Sequence, residues 1–201
     1  MKVLIACEHT GVVRDAFVKA GHYAMSCDLL PDESNTKGLH YQGNVLDVLN
    51  KDWDLLIAHP PCTYLAASGM HWTTRGIRDP QLTEDALDFV RILMNANIKR
   101  IAIENPVGAI STRIRKPDQY IQPYMFGHNA SKKTGLWLKN LPKLQATGYI
   151  EPRIVDGKKR WSNQTDSGQN KLAPSADRWK LRSATYQGIA DAMAQQWGIL
   201  E

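Results

Sequence analysis

The chain contains no apolar run of about 18 residues, the length a membrane-spanning helix needs, so no span is expected. Cysteine is scarce. The three present, Cys7, Cys27 and Cys62, are odd in number and widely spaced, which fits neither a disulfide framework nor a zinc site. No metal site is expected, and a reducing cytoplasm suits such thiols. The opening Met1-Lys2-Val3-Leu4-Ile5-Ala6-Cys7-Glu8 is too short and too soon charged for a signal peptide and reads as a first strand. There is no internal repeat, no low-complexity tract and no Gly-x-Gly-x-x-Gly run. Membrane proteins, disulfide scaffolds and solenoids are thereby excluded as expectations. What is present suits one compact domain with a small appended lobe: 201 residues, 43% of them hydrophobic, can bury a real core.

Charge is unevenly spread. Residues 1–110 carry 10 Lys/Arg against 13 Asp/Glu, whereas residues 111–182 carry 15 against 5. Positive charge gathered in one segment suggests a polyanionic partner, nucleic acid first; a merely solvated basic face is the plainer alternative. No obligate protein partner is evident.

Apolar and polar stretches alternate in a way that predicts a helix-flanked parallel sheet. Val3-Leu4-Ile5-Ala6 predicts a buried strand, followed by a turn at Glu8-His9-Thr10-Gly11 and a helix over about 12–20 that Gly21 terminates. Tyr23-Ala24-Met25-Ser26-Cys27 predicts a second strand ending at Asp28, and His40-Tyr41-Gln42 a third, closing at Gly43-Asn44. Leu55-Leu56-Ile57-Ala58 predicts the fourth. The spacing of Leu82, Ala86, Phe89, Val90, Leu93 and Met94 predicts a helix over 80–97. Ile101-Ala102-Ile103 predicts a fifth strand, and Gly135-Leu136-Trp137-Leu138 one more. Residues 140–182 show little periodicity and read as an irregular lobe. A final helix over about 188–197 returns to the sheet. The expected division is an α/β domain over 1–138, a small basic lobe over 139–182 and the returning helix within 183–201.

The chemistry lies at the strand ends. Leu55-Leu56-Ile57-Ala58-His59-Pro60-Pro61-Cys62 is an apolar run halted by two prolines, which cannot donate to a central ladder. Cys62 therefore stands at the carboxyl end of a buried strand, where open α/β sheets bind ligands. Its thiolate would be a strong nucleophile, though a lone cysteine reads as well as an inert buried thiol. Glu104 ends the fifth strand, and a carboxylate there is costly without a partner. The pair says more than either residue alone. Asp28 suits a ribose hydroxyl, or is a plain strand-end residue; Gly11 admits close approach of a cofactor. His59 reads as a residue that packs against or caps its strand end, with contact to a substrate as the alternative. Trp72, Trp137, Trp161 and Trp179 suit either base stacking or structural packing.

Pro61-Cys62 after the fourth strand and Glu104-Asn105 after the fifth resemble the two signature dipeptides of the DNA cytosine-C5 methyltransferases, here in a short form of the phage or prophage type. Ala66-Ala67-Ser68-Gly69 is similar to that family's mobile loop, and Tyr186-Gln187-Gly188-Ile189-Ala190 to its last motif. The likeness covers residues 1–110 and that last stretch. It departs at the first turn, which lacks the family's aromatic residue and paired glycines, at Thr63, where glutamine is usual, and at Pro106, where valine is usual.

The resemblance implies a Rossmann-like sheet that uses S-adenosyl-L-methionine, with Cys62, Glu104 and Asn105 as the catalytic set. Cys62 would add to C6 of cytosine, Glu104 would hydrogen-bond N3 and the exocyclic amine, and the base would be flipped from the duplex. The cofactor would lie over Glu8, Thr10 and Gly11, with Asp28 on its ribose, Asn44 facing its adenine, and Val45 and Pro60 beside it. DNA would be met by Lys132 and Lys133, the nearest counterpart of the family's Gln-x-Arg-x-Arg motif, and by Lys158, Lys159, Arg160 and Arg178, with Lys180 and Arg182 nearby. Two rivals stay open: an enzyme acting on a free cytosine nucleotide or transferring another one-carbon group, and a catalytically degenerate DNA-binding relative.

Overall fold

The structure is a computed structural model and describes every residue except Lys37, Ala176, Asp177 and Glu201. Five strands, β1 (Lys2–Ala6), β2 (Tyr23–Asp28), β3 (His40–Gln42), β4 (Leu55–Ala58) and β5 (Arg100–Pro106), lie parallel. β7 (Thr134–Lys139) runs antiparallel to β5, and β6 (Gln119–Ile121) antiparallel to β7. The sheet order is β3-β2-β1-β4-β5-β7-β6. A sheet covered on both faces needs strands apolar on both sides, and β4 is buried throughout.

Alternate residues feed two cores. Val3, Ile5, Leu55 and Ile57 pack with Phe17 of α1 (Val12–Lys19) and with Ile189, Met193 and Trp197 of α6 (Gln187–Trp197). Leu4, Leu56, Ile101 and Ile103 pack with Leu87, Val90 and Leu93 of α3 (Gln81–Met94) and with Ile110 of α4 (Ala109–Arg113). The α3 period ends three residues before the expected boundary, because Asn95 closes the last turn and bonds back to the Arg91 carbonyl.

Two features differ from expectation. The segment likened to a mobile loop holds an eight-residue helix, α2 (Ala67–Thr74). The strand at Gly135 is antiparallel and brings β6 with it as the sheet edge. Trp137 and Trp161 are packed inside, Trp161 stacked on Tyr124 at 4.2 Å, so neither offers a face to a base. Trp72 and Trp179 remain exposed.

Residues 140–182 carry a short hairpin, β8 (Arg153–Val155) with β9 (Lys158–Arg160), and α5 (Arg178–Ser183). Asn163 fastens this region to Ser131 through hydrogen bonds of 2.9 Å in both directions. Among the described residues no helix is long and apolar enough to cross a membrane.

Candidate active site

Register decides which side chains meet. Ala58 pairs with Ala6 on one side and Ile103 on the other, so the residues that follow Ala6, Ala58 and Ile103 emerge together. The His59 amide continues the ladder to the Ala6 carbonyl at 2.9 Å. Pro60 and Pro61 then stop it, and Cys62 opens a single 3-10 turn over Cys62–Tyr64.

That turn is clamped to the end of β5. Asn105 Nδ2 donates to the Pro60 carbonyl at 2.7 Å. The Ala67 amide donates to the Val107 carbonyl at 3.0 Å, and the Ala109 amide to the Leu65 carbonyl at 2.7 Å. Gly108 permits this approach, because a Cβ there would overlap the Leu65 carbonyl oxygen. Asn105 is 1% exposed. It is the tie that sets the Cys62 turn rather than a group facing outward.

Cys62 is solvent-accessible, and Glu104 acts on its titration. Desolvation by the surrounding walls pushes the thiol up, and the Glu104 carboxylate adds to this; Lys132 and Arg182 pull it back down. Burial also opposes ionisation of Glu104. It is overcome by the His59 hydrogen bond, by the Lys132 and His59 charges and by the Thr134 side chain, which together hold the carboxyl below its usual range. His59 Nδ1 lies 3.1 Å from Glu104 Oε2. Thiol, carboxylate and lysine thus share one electrostatic neighbourhood at the carboxyl edge of the sheet.

The first turn works differently from expectation. Both Glu8 oxygens accept from the start of α1, from the Val13 amide at 2.7 Å and the Arg14 amide at 3.1 Å. Burial pushes this carboxyl up; the nearby His59 and the two amides pull against it. Gly11, at φ 71°, does not leave room for a ligand: a Cβ there would collide with Arg14 Nη2 and Ser34. Arg14 is the residue that composition hides most. Its guanidinium, 0% exposed, donates to Asp15, Ser26, Asp32, Ser34 and Thr36. These bonds draw the 32–36 loop over the first turn, where the Glu33 amide reaches the His9 carbonyl at 2.8 Å.

Polar groups with spare capacity remain near the strand ends. Asp28 Oδ1 accepts from the Leu30 amide, while Oδ2 stands 3.8 Å from His9 Nδ1, beyond hydrogen-bond reach. His9 Nε2 is buried and has no hydrogen-bond partner. Asn44 uses its Oδ1 to cap the turn that follows, donated to by the Leu46 amide at 3.0 Å. Val45 and Pro60 are buried, and Thr10 is half-buried. An acceptor oxygen at the end of β2 and the Asn44 amide group after β3 suit the hydroxyls and base of a nucleoside cofactor.

The basic residues divide. Lys132 faces Cys62 and Glu104, whereas Lys133 lies over the Tyr120 ring at 4.3 Å. Lys158 and Lys159 are exposed on the β8–β9 hairpin. Arg160 was expected to meet phosphate, but its Nε donates to the Asp166 carbonyl at 2.9 Å and its Nη1 to the Lys159 carbonyl at 2.9 Å, so it braces the lobe. Arg178 is half-buried, with Nε buried and without a hydrogen-bond partner. The charge of Arg182, from α5, also pulls the Cys62 thiol down. Among the described residues no cluster of three His, Cys, Asp or Glu side chains could hold a metal ion.

Among solved structures, the chain is similar to EhMeth, a methyltransferase of Entamoeba histolytica, at 14% identity and a TM-score of 0.50; the match covers 75% of this chain and 58% of that one. A Dnmt2 methyltransferase of S. pombe matches at 18% identity and a TM-score of 0.49, over 71% of this chain and 51% of that one. The matched region spans little more than half the length of those proteins. No protein-family model and no curated protein sequence matches the chain. The sheet, with its antiparallel β7 inserted beside β6, is that of a Rossmann-like methyltransferase fold.

Proposed function

We propose that this chain transfers a methyl group from S-adenosyl-L-methionine to C5 of cytosine in DNA, through a covalent bond between Cys62 and C6. The observation that carries this reading is the clamped meeting of Cys62 and Glu104 at the carboxyl edge of a methyltransferase-like sheet. C5 of cytosine is a poor nucleophile, and addition of sulfur at C6 converts it into an enamine carbon. Glu104, ionised and fixed, accepts a hydrogen bond from the exocyclic amine and so selects cytosine over uracil. Lys132 supports the thiolate at the moment of attack.

In this reading Asp28 receives ribose hydroxyls, Asn44 meets the adenine, and Thr10, Val45 and Pro60 line the cofactor cleft. When bound, the cofactor supplies an electrophilic methyl group on a sulfonium. Glu8 and Gly11 serve it indirectly, by holding α1 and the 32–36 loop. Residues 139–182 form the DNA-facing lobe, with Lys158 and Lys159 on phosphates.

Duplex DNA is incubated with the protein and donor, digested to nucleosides and weighed by mass spectrometry. The expected product is 5-methyldeoxycytidine, absent with Cys62→Ser. Methyl incorporation that survives Cys62→Ser would refute the covalent route. Product from deoxycytidine monophosphate alone would replace DNA by a free nucleotide as substrate.

A further inference from the structure

We propose that His59 holds the proton that Glu104 lends to the pyrimidine, so that the two residues act as one proton store beneath the substrate. This rests on the cytosine reading of the site.

When the Cys62 thiol has lost its proton to solvent and Sγ bonds to C6, the C5–C6 π pair moves to C4–C5 and the C4–N3 pair settles on N3. N3 then needs a proton. Glu104 is the group beside it, yet its surroundings keep it a carboxylate with no proton to give near neutrality. His59 Nδ1, at 3.1 Å from Oε2, lies on a line along which a proton can cross. The ring is held in place by its own backbone, since its amide is locked to Ala6, and its side chain is 10% exposed. His59 Nε2 is buried and, among the described residues, has no hydrogen-bond partner, so the ring's hydrogen bond there is the one to Glu104.

The charged groups around the pair come from four elements. Glu104 comes from β5, and Glu8 from the turn after β1. Lys132 comes from the segment before β7 and acts on Glu104; Cys62, from the turn after β4, is coupled to Glu104 as well. Glu8 is pinned by two α1 amides, and burial opposes its ionisation. A proton on His59 is therefore stored against the Glu104 carboxylate. After C5 is methylated and loses its own proton to solvent, the Sγ–C6 bond breaks and N3 returns its proton through Glu104. The store ends as it began, and His59 is a positioning residue acting through Glu104.

The test is the pH profile of single-turnover methyl transfer, measured for the wild type, His59→Asn and His59→Gln. Either amide can donate to Glu104 without titrating. With His59 present, the rate falls on the alkaline side as the store loses its proton. In the variants Glu104 must take its proton from solvent, so the alkaline limb moves to lower pH. The rate near pH 7.5 falls by about 100-fold, the low end of what a positioned proton donor contributes, at unchanged KM for DNA. Profiles of the same shape in both variants, merely scaled, overturn the proton store and leave His59 a packing residue. A wild type that transfers no methyl group overturns the cytosine reading itself, and the store falls with it.

Discussion

Replacing Arg14 by methionine removes one side chain and strands five acceptors. Arg14 reaches Asp15 at 2.8 Å, Ser26 at 3.0 Å, Asp32 at 2.8 Å, Ser34 at 2.6 Å and Thr36 at 3.1 Å. Removing one member of a buried ion pair costs about 3–5 kcal/mol, because the other is left uncompensated. Here the orphans partly recover water. The Asp32 and Asp15 side chains are 19% and 28% exposed, and Ser26 keeps its 2.8 Å bond to His40. The loss should therefore sit at the low end, about 3 kcal/mol. At a urea slope of about 2–3 kcal/mol per molar, the unfolding midpoint falls by roughly 1 M. The effect carries a pH signature. Burial opposes ionisation of Asp32, but the Ser34 and Arg14 hydrogen bonds win and hold its carboxyl below the usual range. A depressed folded value stabilises above the unfolded carboxylate range of about 3.9 and is lost as pH falls through it. Wild type and variant should accordingly converge as pH drops below about 4. A loss under about 1 kcal/mol at pH 7, or a gap that widens in acid, would refute the reasoning.

Three other substitutions separate parts of the site. Gly108→Ala is the smallest possible change, yet its methyl would enter the Leu65 carbonyl; it should lower the melting temperature and abolish methyl transfer, and an active, equally stable variant would show that the clamp is dispensable. Lys132→Met removes a charge that pulls the Cys62 thiol down, so iodoacetamide alkylation near pH 7.5 should slow several-fold, whereas Lys133→Met, on Tyr120, should leave it unchanged. Equal effects would mean that the two lysines are interchangeable. On DNA, a Lys158→Ala/Lys159→Ala double variant should flatten the slope of log affinity against log salt by about 1.8, at about 0.9 per phosphate contact. Arg160→Ala should instead lower lobe stability through its lost Asp166 bond, and a salt-slope change as large as the lysines' would contradict its bracing role.

The parallel half of the fold was legible because its strands are apolar on both faces and stop at residues that cannot continue them. Val3-Leu4-Ile5-Ala6 and Leu55-Leu56-Ile57-Ala58 are such runs, and the two prolines after the second announce where Cys62 must stand. The antiparallel edge was not legible. Gln119-Tyr120-Ile121 is three residues long with no apolar run, and it becomes a strand through pairing with β7, a distant event. The site divides along the same line. Cys62 follows a strand stop and Glu104 follows the last apolar residue of the Ile101-Ala102-Ile103 run, so both can be counted from the sequence. Arg14 cannot: on the helix over 12–20 a charge reads as a solvent face, and its burial depends on acceptors supplied by residues up to 22 positions away. The two lysines before β7 pose a finer problem, since adjacent residues in extended chain point to opposite sides and a one-residue difference decides which meets the thiol. The first turn shows why a motif departure need not be a defect. A carboxylate at Glu8 satisfies the α1 amides from inside the chain, and Gly11 admits an arginine. The surroundings of Asp28 are thus built by the protein's own ionic scaffold, so on the proposed reading Arg14→Met should weaken binding of S-adenosyl-L-methionine.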